Sequence, residues 1–456
     1  MSHAAPGEAV AYRGGVPVSA AEFLTEAARL AEGLPPGGHV LNICADRYRF
    51  TVGLAASLLT RKVSLLPPTH TPEVIRRLAT FAPDVFCLTD QEQCDIDLPQ
   101  VRYPAAEGGS ATARSGKAAR SGDWRVPELE ASQTAAVVFT SGSTGLPVPH
   151  RKTWGRLVRC VRDGAERLGL MDGRSHAVLA TVPPQHMYGF ESSVLVSLQS
   201  ANALCAEHPF YPADVCAALA RLPRPRVLIC TPIHLRALLA SQGEVPAADL
   251  IVSATAPLAQ ELARESEERF GAPLIEIYGS TESGQLATRR TAREREWRLW
   301  PGVCLTLDEG RAWARGGHLE QPTPMCDELE VIDTQRFLLH GRLADLVNIA
   351  GKRSSLAYLT HQLNSIAGVL DGAFFFPEEP QTSCAGVTRV AAAVVAPGLD
   401  AARLVEELRK RVDPVFLPRP LLLVERLPRN STGKLPQGAL HALAAGTAAA
   451  APRAGT

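Results

Sequence analysis

The chain has 456 residues, of which 46 % are hydrophobic and 21 % charged, an ordinary globular composition and more than one hydrophobic core usually serves. The 47 basic side chains equal the 47 acidic ones, so the charge balance argues against a partner such as nucleic acid or anionic membrane. Ten cysteines without a Cys-x-x-Cys pair, no signal peptide and no apolar run of ~18 residues predict a cytoplasmic protein with reduced thiols and no membrane span.

The first hundred residues alternate helical and strand patterns. Helices are predicted over residues 19–32 and 50–59, and buried strands over residues 39–43 and 63–66. This alternation predicts a largely parallel sheet covered by helices. Residues 105–122, which are rich in Ala, Gly, Ser and Arg, are predicted to form a surface loop.

Compact apolar runs predict the strands of the middle region. These strands are at residues 135–139, 177–179, 227–229, 250–252 and 274–277. The last hundred residues have strand-like runs at 374–376 and 390–395 and a helical pattern at 401–412, which together predict a small α+β domain. The Ala-rich tail over residues 444–456 is predicted to be frayed.

A Ser/Thr/Gly hexapeptide follows the strand predicted at residues 135–139. It consists of Thr140, Ser141, Gly142, Ser143, Thr144 and Gly145. The glycines allow a tight turn that exposes backbone N–H groups, and the hydroxyls can donate hydrogen bonds to phosphate oxygens. The same composition also suits a turn without a ligand. No Gly-Lys-Ser/Thr ends the segment, which argues against a P-loop NTPase.

A second polar segment follows the strand predicted at residues 274–277, which we expect to end at Gly279. The segment consists of Tyr278, Gly279, Ser280, Thr281 and Glu282. In open α/β sheets, ligands bind at the carboxyl ends of the strands. There the aromatic ring can stack on a base, the hydroxyl can bond a phosphate, and the carboxylate can hold Mg²⁺. The alternative is an ordinary turn with a solvated glutamate.

Two further signals are weak when each is taken alone. Asp327 precedes Arg342 of a Gly-Arg pair by fifteen positions, and a Pro/Gly loop over residues 427–434 presents Lys434. Most Asp, Arg and Lys residues lie on protein surfaces without a specific role. These two signals become informative through their order along the chain with the other two segments.

The four signals, in this order, resemble the adenylate-forming superfamily of acyl- and aryl-CoA synthetases, nonribosomal-peptide adenylation domains and luciferases. Residues 141–147 match the superfamily phosphate loop up to its final lysine, and residues 278–282 match Tyr-Gly-x-Thr-Glu in full. Asp327 with Arg342, and residues 428–434, match the other two motifs. Weaker similarities at residues 183–189 and 253–257 extend the resemblance over nearly the whole chain.

The resemblance implies an α/β fold in two domains. Residues 1–342 would form a large multi-subdomain N-terminal domain with layered, mostly parallel sheets that binds nucleotide and carboxylate. Residues 343–456 would form a small mobile α+β lid domain that carries the catalytic lysine. The implied activity is that of an AMP-forming ligase, which uses ATP and Mg²⁺ to activate an aryl or fatty acyl carboxylic acid as its adenylate. The acyl group would pass to the thiol of CoA or of an acyl carrier protein phosphopantetheine.

The resemblance also assigns roles in nucleotide binding. Residues 140–145 would surround the β- and γ-phosphates, and Tyr278 would lie against adenine, with Gly279 and Ser280 in the same binding motif. The opposite adenine wall would consist of Ala254, Thr255, Ala256 and Pro257. Asp327 would bind the ribose hydroxyls, and Arg342 the ribose or a phosphate.

The catalytic roles that the resemblance implies fall on four residues. Thr281 would bond the α-phosphate, and Glu282 would hold Mg²⁺. Lys434 would bridge the carboxylate and the α-phosphate, which repel each other. His186 would lie between the nucleotide and acyl pockets; the alternative is a packed loop histidine.

The chain departs from the superfamily pattern at several positions. The loop lysine is replaced by Val148, the hinge residue by Ala344, and the Thr-Gly before the ribose aspartate by Met325 and Cys326. We hypothesise that the phosphate-facing cation is supplied by Lys152 or Arg151, and that Lys152→Ala therefore raises the apparent KM for ATP.

These departures motivate a second hypothesis, a catalytically silent nucleotide-binding scaffold. The presence of Lys434, Glu282 and Asp327 opposes it. Within the first hypothesis, the short chain and residues 149–154 are similar to stand-alone aryl-carboxylate ligases that load carrier proteins.

Overall fold

The computed structural model describes residues 1–104, 124–141, 147–241, 243–308, 311–342, 346–349, 352–377, 389–430 and 435–450. The chain divides into two compact units. The first consists of Met1–Cys304 with Ala314–Thr323, and the second of Leu305–Trp313 with Pro324–Thr456. The hinge after Arg342 stays a prediction, and the loop predicted at residues 105–122 lies outside the described residues.

The first unit begins with a βα-alternating region, as predicted. Its elements are β1 (Ala9–Arg13), β2 (Val16–Ser19), α1 (Ala20–Gly33), β3 (His39–Asn42), α2 (Arg47–Leu59), β4 (Val63–Leu66), α3 (Pro72–Phe81), β5 (Val85–Thr89), β6 (Gln100–Arg102), β7 (Thr134–Ser141) and β8 (Pro147–Thr153). One sheet has the strand order β6-β5-β3-β4-β7-β8 and is parallel except for β8, which runs antiparallel to β7. The prediction of a largely parallel sheet is confirmed.

The rest of the first unit builds a second sheet. Its elements are α4 (Trp154–Arg167), β9 (Ala177–Ala180), α5 (Met187–Gly189), a π-helical segment (Phe190–Leu195), α6 (Val196–Gln199), β10 (Ala203–Cys205), α7 (Pro212–Arg221), β11 (Arg226–Cys230), α8 (Pro232–Ala240), β12 (Leu250–Ser253), α9 (Gln260–Phe270), β13 (Leu274–Ser280), β14 (Gly284–Arg289) and β15 (Trp297–Leu299). The strands follow the order β15-β14-β13-β12-β11-β9-β10-β1-β2, and neighbours from β13 to β1 are parallel. The strand predicted to end at Gly279 continues to Ser280, because β13 pairs with β14 up to that residue.

The C-terminal part of the chain has shorter elements. They are β16 (Val303–Asp308), β17 (Arg311–Gly316), β18 (Thr323–Pro324), β19 (Asp327–Val331), β20 (Arg336–Arg342), β21 (Leu346–Ile349), β22 (Lys352–Ser355), α10 (Leu356–Asn364), β23 (Asp371–Phe375), β24 (Ala391–Val395), α11 (Ala401–Arg409), a 3-10 turn (Pro414–Phe416), β25 (Leu421–Leu423) and α12 (Gln437–Ala450). The sheet β23-β24-β25 packs with α10 and α11 around one apolar cluster, so the predicted small α+β domain is confirmed. The frayed tail is wrong for residues 444–450, which belong to α12.

The sequence also predicts reduced thiols and no membrane span. Nine cysteines of the described part of the chain are free, and five of them are buried. Within the described ranges, none of the helices combines the length and the apolarity that crossing a bilayer requires.

Helix α1 shows how local sequence fixes one of these elements. Its buried face consists of Ala20, Phe23, Ala27 and Leu30, which recur at helical spacing. Ser19 caps the helix: its hydroxyl accepts from the Glu22 backbone N–H at 3.3 Å, and the Glu22 carboxylate accepts from the Ser19 N–H at 2.8 Å. This reciprocal capping box starts the helix at Ala20.

We expect Ser19→Ala to destabilise the first unit by about 1 kcal/mol, because the substitution leaves a helix N–H without its acceptor. The midpoint of urea unfolding measures the loss. Thr25→Ala is the matched control, because the exposed Thr25 hydroxyl donates to the Ala21 carbonyl of the same helix and does not cap it. If the urea midpoint of Ser19→Ala equals that of Thr25→Ala, the cap does not stabilise the folded state.

Candidate active site

The strand pair β7–β8 carries the first predicted segment. Thr140 lies near the end of β7, opposite Val148 of β8, and residues 142–146 between the strands lie outside the described residues. The Thr140 hydroxyl is 3.0 Å from Nε2 of His150. Val148, where the superfamily has its loop lysine, is 44 % exposed, so its apolar side chain faces solvent beside the predicted phosphate loop.

The second predicted segment forms the end of β13 and the turn into β14. A bulge interrupts the pairing between Tyr278 and Gly279. A Cβ on Gly279 would lie 2.3 Å from the Gly284 carbonyl oxygen, so this close approach requires glycine. The turn is closed by reciprocal bonds, because Ser280 and Ser283 each donate a backbone N–H to the other's hydroxyl at 3.1 Å. Thr281 and Glu282 are therefore held at the tip of a rigid turn.

Tyr278 is supported by an aromatic neighbour. Its ring centroid lies 5.5 Å from that of the buried Trp297, and the Arg289 guanidinium lies 4.5 Å above the Trp297 ring. Only 9 % of Tyr278 is exposed. The ring therefore has a fixed orientation, as a stacking platform needs.

The predicted adenine-wall segment follows β12, the strand beside β13. Because β12 and β13 are parallel, with Ser253 opposite Glu276, both segments leave the sheet at the same edge. Thr255 has φ = 79°, which is unusual for a β-branched residue and marks local strain. Ala254 is buried and Pro257 exposed. The structure thus brings residues 254–257 and 278–282 together at one edge of the sheet.

His186 lies at the start of the short helix α5. Its Nδ1 accepts from the Tyr188 backbone N–H at 3.3 Å, so the ring caps the helix. A Cβ on Gly189 would meet the Pro183 carbonyl oxygen at 2.1 Å, so the close approach of α5 to this carbonyl requires glycine. Both hypotheses for His186, a pocket residue and a packed loop histidine, agree with this placement.

Basic side chains lie below the Thr281–Ser283 turn. The sequence analysis names one of them, Lys152, as a candidate phosphate ligand and misses Arg156. Nζ of Lys152 donates to the carbonyls of Thr281 and, at 3.1 Å, Glu282. Arg156 donates to the Glu282 carbonyl at 2.6 Å. Lys152 is 1 % exposed, and burial lowers the pKa of its ammonium. Its described contacts therefore favour a structural partner of the turn over the hypothesised phosphate ligand.

Two titratable side chains, His150 and Glu191, lie near these basic residues. Nε2 of His150 lies 3.7 Å from the Glu282 carboxylate, and burial lowers the His150 pKa. Glu191 is 2 % exposed and lies in the π-helical segment; burial raises the pKa of its carboxyl. His150 and Lys152 are two residues apart on β8 and so share one face of the strand. This two-residue spacing is the sequence feature that could have indicated the grouping of His150 with Lys152.

The remaining predicted residues belong to the second unit or lie outside the described residues. Asp327 and Arg342 are direct cross-strand partners in the antiparallel pair β19–β20, so the structure brings these two ribose-site candidates together. The side chain of Arg342 is outside the described part. So are Lys434 and Ala344.

Comparison with known families places the chain among nucleotide-binding α/β enzymes. The chain belongs to the AMP-binding enzyme family, whose profile matches residues 2–341. It is 30 % identical to a 4-coumarate–CoA ligase of Halorhodospira halophila over 69 % of this chain and 79 % of that protein. It is also 30 % identical to a 4-coumarate–CoA ligase of Rhodobacter capsulatus, and this match spans 52 % of this chain but only 60 % of that ligase.

Solved structures show the same fold at low identity. The ATP-bound MatB of Rhodopseudomonas palustris superposes with a TM-score of 0.78 at 19 % identity, covering 96 % of each chain. An anthranilate CoA ligase in complex with anthranoyl-AMP superposes with a TM-score of 0.79 at 16 % identity, covering 98 % of this chain and 96 % of that one. The predicted fold class, a large N-terminal α/β domain with a smaller C-terminal domain, is confirmed.

Proposed function

We propose that the protein is an AMP-forming acid–thiol ligase. It activates a carboxylic acid with ATP as the acyl-adenylate and transfers the acyl group to a thiol. Family membership and the names of the relatives, which are CoA ligases, support this proposal. Two roles in it, those of Lys434 and of the phosphate loop, rest on the sequence motifs alone.

One geometric observation carries the proposal. His150 lies 3.0 Å from the Thr140 hydroxyl and 3.7 Å from the Glu282 carboxylate. The His150 imidazole therefore lies close both to Thr140, at the start of the predicted phosphate loop, and to the carboxylate of Glu282, the candidate Mg²⁺ ligand. A triphosphate held by the loop would have its α-phosphate near the Thr281–Ser283 turn, where the first reaction step requires it.

In the first step, a carboxylate oxygen attacks the α-phosphorus of ATP, and the bond from that phosphorus to the β-phosphate oxygen breaks. Pyrophosphate leaves with the electron pair. No general base is needed, because a carboxylic acid with a pKa near ~4 is already ionised at neutral pH. Catalysis then depends on positioning and on compensation of negative charge. We assign these tasks to Thr281 and Lys434.

Mg²⁺ would neutralise phosphate charge when bound. The described residues contain no cluster of three or more His, Cys, Asp or Glu that could hold a metal ion. Glu282 nevertheless fits, because Mg²⁺ is usually held by one or two carboxylates together with substrate phosphates and water. Its side chain is 43 % exposed, so its oxygens are accessible from the sheet edge.

In the second step, a thiolate attacks the acyl carbonyl carbon, the bond to the adenylate oxygen breaks, and AMP leaves. The relatives' names favour CoA as acceptor. The similarity to carrier-protein ligases makes an acyl carrier protein phosphopantetheine the alternative. Trapping the adenylate with each thiol separately distinguishes them. A cytoplasmic location, where ATP and CoA are available, stays a prediction.

Acid-dependent exchange of labelled pyrophosphate into ATP tests the proposal. The panel contains aryl acids, among them 4-coumarate and anthranilate, and short- and long-chain fatty acids. We expect exchange with at least one acid and none without acid. Absence of exchange over the whole panel, with ATP still bound, would favour the silent scaffold.

We expect Glu282→Gln to raise the Mg²⁺ concentration for half-maximal exchange by about tenfold or more, since even outer-shell changes cost 10–100-fold in metal affinity. Glu294→Gln is the control, because Glu294 forms a surface ion pair with Arg298 at 3.6 Å. An unchanged Mg²⁺ dependence in Glu282→Gln would remove this residue from the metal site.

A further inference from the structure

Three basic side chains hold the buried side of the Thr281–Ser283 turn. Lys152 from β8 donates to the carbonyls of Thr281 and Glu282, and Arg156 from the first turn of α4 donates to the Glu282 carbonyl. Nε2 of His318 donates to the Ser283 carbonyl at 2.9 Å. The backbone carbonyls of Thr281, Glu282 and Ser283 thus all accept hydrogen bonds from these basic side chains on the buried side of the turn. The opposite side of the turn is left for the side chains of Thr281 and Glu282.

Burying the cations of Lys152 and Arg156 has an unfavourable free energy. Burying an ammonium at 1 % exposure costs several kcal/mol unless charge and hydrogen bonds compensate it. Arg156 lies in the first turn of α4, where the helix dipole disfavours a cation by about 0.3–1 kcal/mol. An apolar residue would pack at either position without these costs. The contacts to the turn give both cations a function that packing alone does not.

The neighbouring strand residue shows that the arrangement is specific to one face. Arg151 points to the other side of β8, is exposed, and donates to the Thr134 hydroxyl at 3.2 Å. His150 and Lys152, on the first face, contact Glu282 and the turn. Side chains on one face of β8 therefore link this strand, which follows the predicted phosphate loop, to the Thr281–Ser283 turn. That turn carries the candidate ligands of the α-phosphate and of Mg²⁺.

We propose that Lys152, together with Arg156, is a positioning residue that fixes the Thr281–Ser283 turn in the geometry that adenylation requires. Its catalytic consequence rests on the function proposed above. Lys152, four residues beyond Val148 on β8, acts on the backbone of the turn from its buried side.

The competing explanation is that Lys152 serves only as a buried charge partner of Glu191. In that case Glu191→Gln and Lys152→Met should have similar effects, since each removes one member of the pair. If Lys152 positions the turn, Glu191→Gln leaves its two bonds to the turn carbonyls in place and should behave as wild type at the site.

The test compares Lys152→Met, Arg156→Met, Glu191→Gln and the control Arg151→Met in the full chain. Hydrogen exchange by mass spectrometry follows a peptide covering residues 279–287. We expect Lys152→Met and Arg156→Met to speed amide exchange in this peptide about tenfold and to lower kcat of pyrophosphate exchange about 10–100-fold, because misplacement of about 1 Å can cost 10²-fold. KM for the acid should stay within about threefold, since the proposed function assigns the turn to the α-phosphate and Mg²⁺ rather than to the acid.

Glu191→Gln and Arg151→Met should leave both readouts within about twofold of wild type. Wild-type hydrogen exchange in Lys152→Met, or an equal effect of Glu191→Gln, would overturn the proposal. If Lys152→Met does not fold, the half-buried Arg156→Met decides by the same two readouts. A wild-type protein without pyrophosphate exchange would refute the proposed function, whereas hydrogen exchange would still test the positioning of the turn.

Discussion

Lys434→Ala is expected to lower the rate of acyl-adenylate formation about 10³-fold while leaving ATP binding nearly unchanged. A cation ~4 Å from a phosphate oxygen at an effective dielectric near 20 contributes about 4 kcal/mol before desolvation costs, and 1.36 kcal/mol corresponds to tenfold in rate. Single-turnover formation of acyl-adenylate measures the loss. Transfer from presynthesised acyl-adenylate to the thiol should proceed at the wild-type rate, because the resemblance places this lysine in the first half-reaction only.

Lys410→Ala is the matched control for that variant. It removes the same side chain from the same unit, where Lys410 forms a surface pair with Glu407 at 2.7 Å and is 57 % exposed. We expect wild-type rates in both half-reactions. A Lys434→Ala protein that forms the adenylate as fast as Lys410→Ala would contradict the assigned role.

Arg47→Met should give the largest loss of stability, about 3 kcal/mol. Arg47 is fully buried in α2 and donates to the Ser193 hydroxyl at 2.7 Å and to the carbonyls of Ala180 and Val182 at 2.8 and 2.9 Å. Each acceptor left without a donor costs about 1–3 kcal/mol, partly offset because the guanidinium no longer has to be buried. Burial lowers the pKa of Arg47 to about 10, so the side chain stays charged at neutral pH.

The melting temperature measures this loss, and we expect a decrease of roughly 4–6 °C. Arg49→Met is the control on the same helix, because Arg49 is partly exposed, lies 3.8 Å from Asp90 and should cost less than about 1 kcal/mol. Since Val182 leads into the segment of His186, Arg47→Met should also slow adenylation. Equal melting of the two variants would show that the buried guanidinium does not anchor this segment.

The parallel strands could be predicted because they are buried on both faces. Runs such as Val227–Ile229 and Leu250–Val252 have no polar side, so they read as continuous apolar segments. Strand β8, Pro147–Thr153, has no such run: two prolines, His150, Arg151 and Lys152 make it resemble a loop. The Ala-rich tail was misjudged for another reason, since alanine has the highest helix propensity and α12 extends through it.

The common location of two candidate segments could be predicted from the strands that they follow. The Tyr278–Glu282 segment and residues 254–257 lie at one sheet edge, as parallel pairing of β12 and β13 requires. The anchoring of the turn was not predictable. A lysine in a polar stretch is normally a surface residue, and only the three-dimensional return of β8 under β13–β14 brings its ammonium to the carbonyls of Thr281 and Glu282.

The absent loop lysine is the departure with the clearest structural consequence. Val148 lies opposite Thr140 and is exposed, so no side-chain charge stands at that position. Lys152 of β8 and Arg156 of α4 contact the backbone of the neighbouring turn. Adenylation in this protein would therefore depend more on the geometry of Thr281 and Glu282, and on Lys434, than on direct charge from the strand after the phosphate loop.

Transfer of carboxylate oxygen to AMP tests the central claim most directly. The acid that supports the fastest pyrophosphate exchange is labelled with ¹⁸O in its carboxylate and incubated with ATP, Mg²⁺ and thiol, and the AMP is analysed by mass spectrometry. Attack of the carboxylate on the α-phosphorus, followed by cleavage of the acyl carbon–oxygen bond, predicts AMP with one ¹⁸O. Unlabelled AMP, or label found in inorganic phosphate, would contradict an acyl-adenylate intermediate.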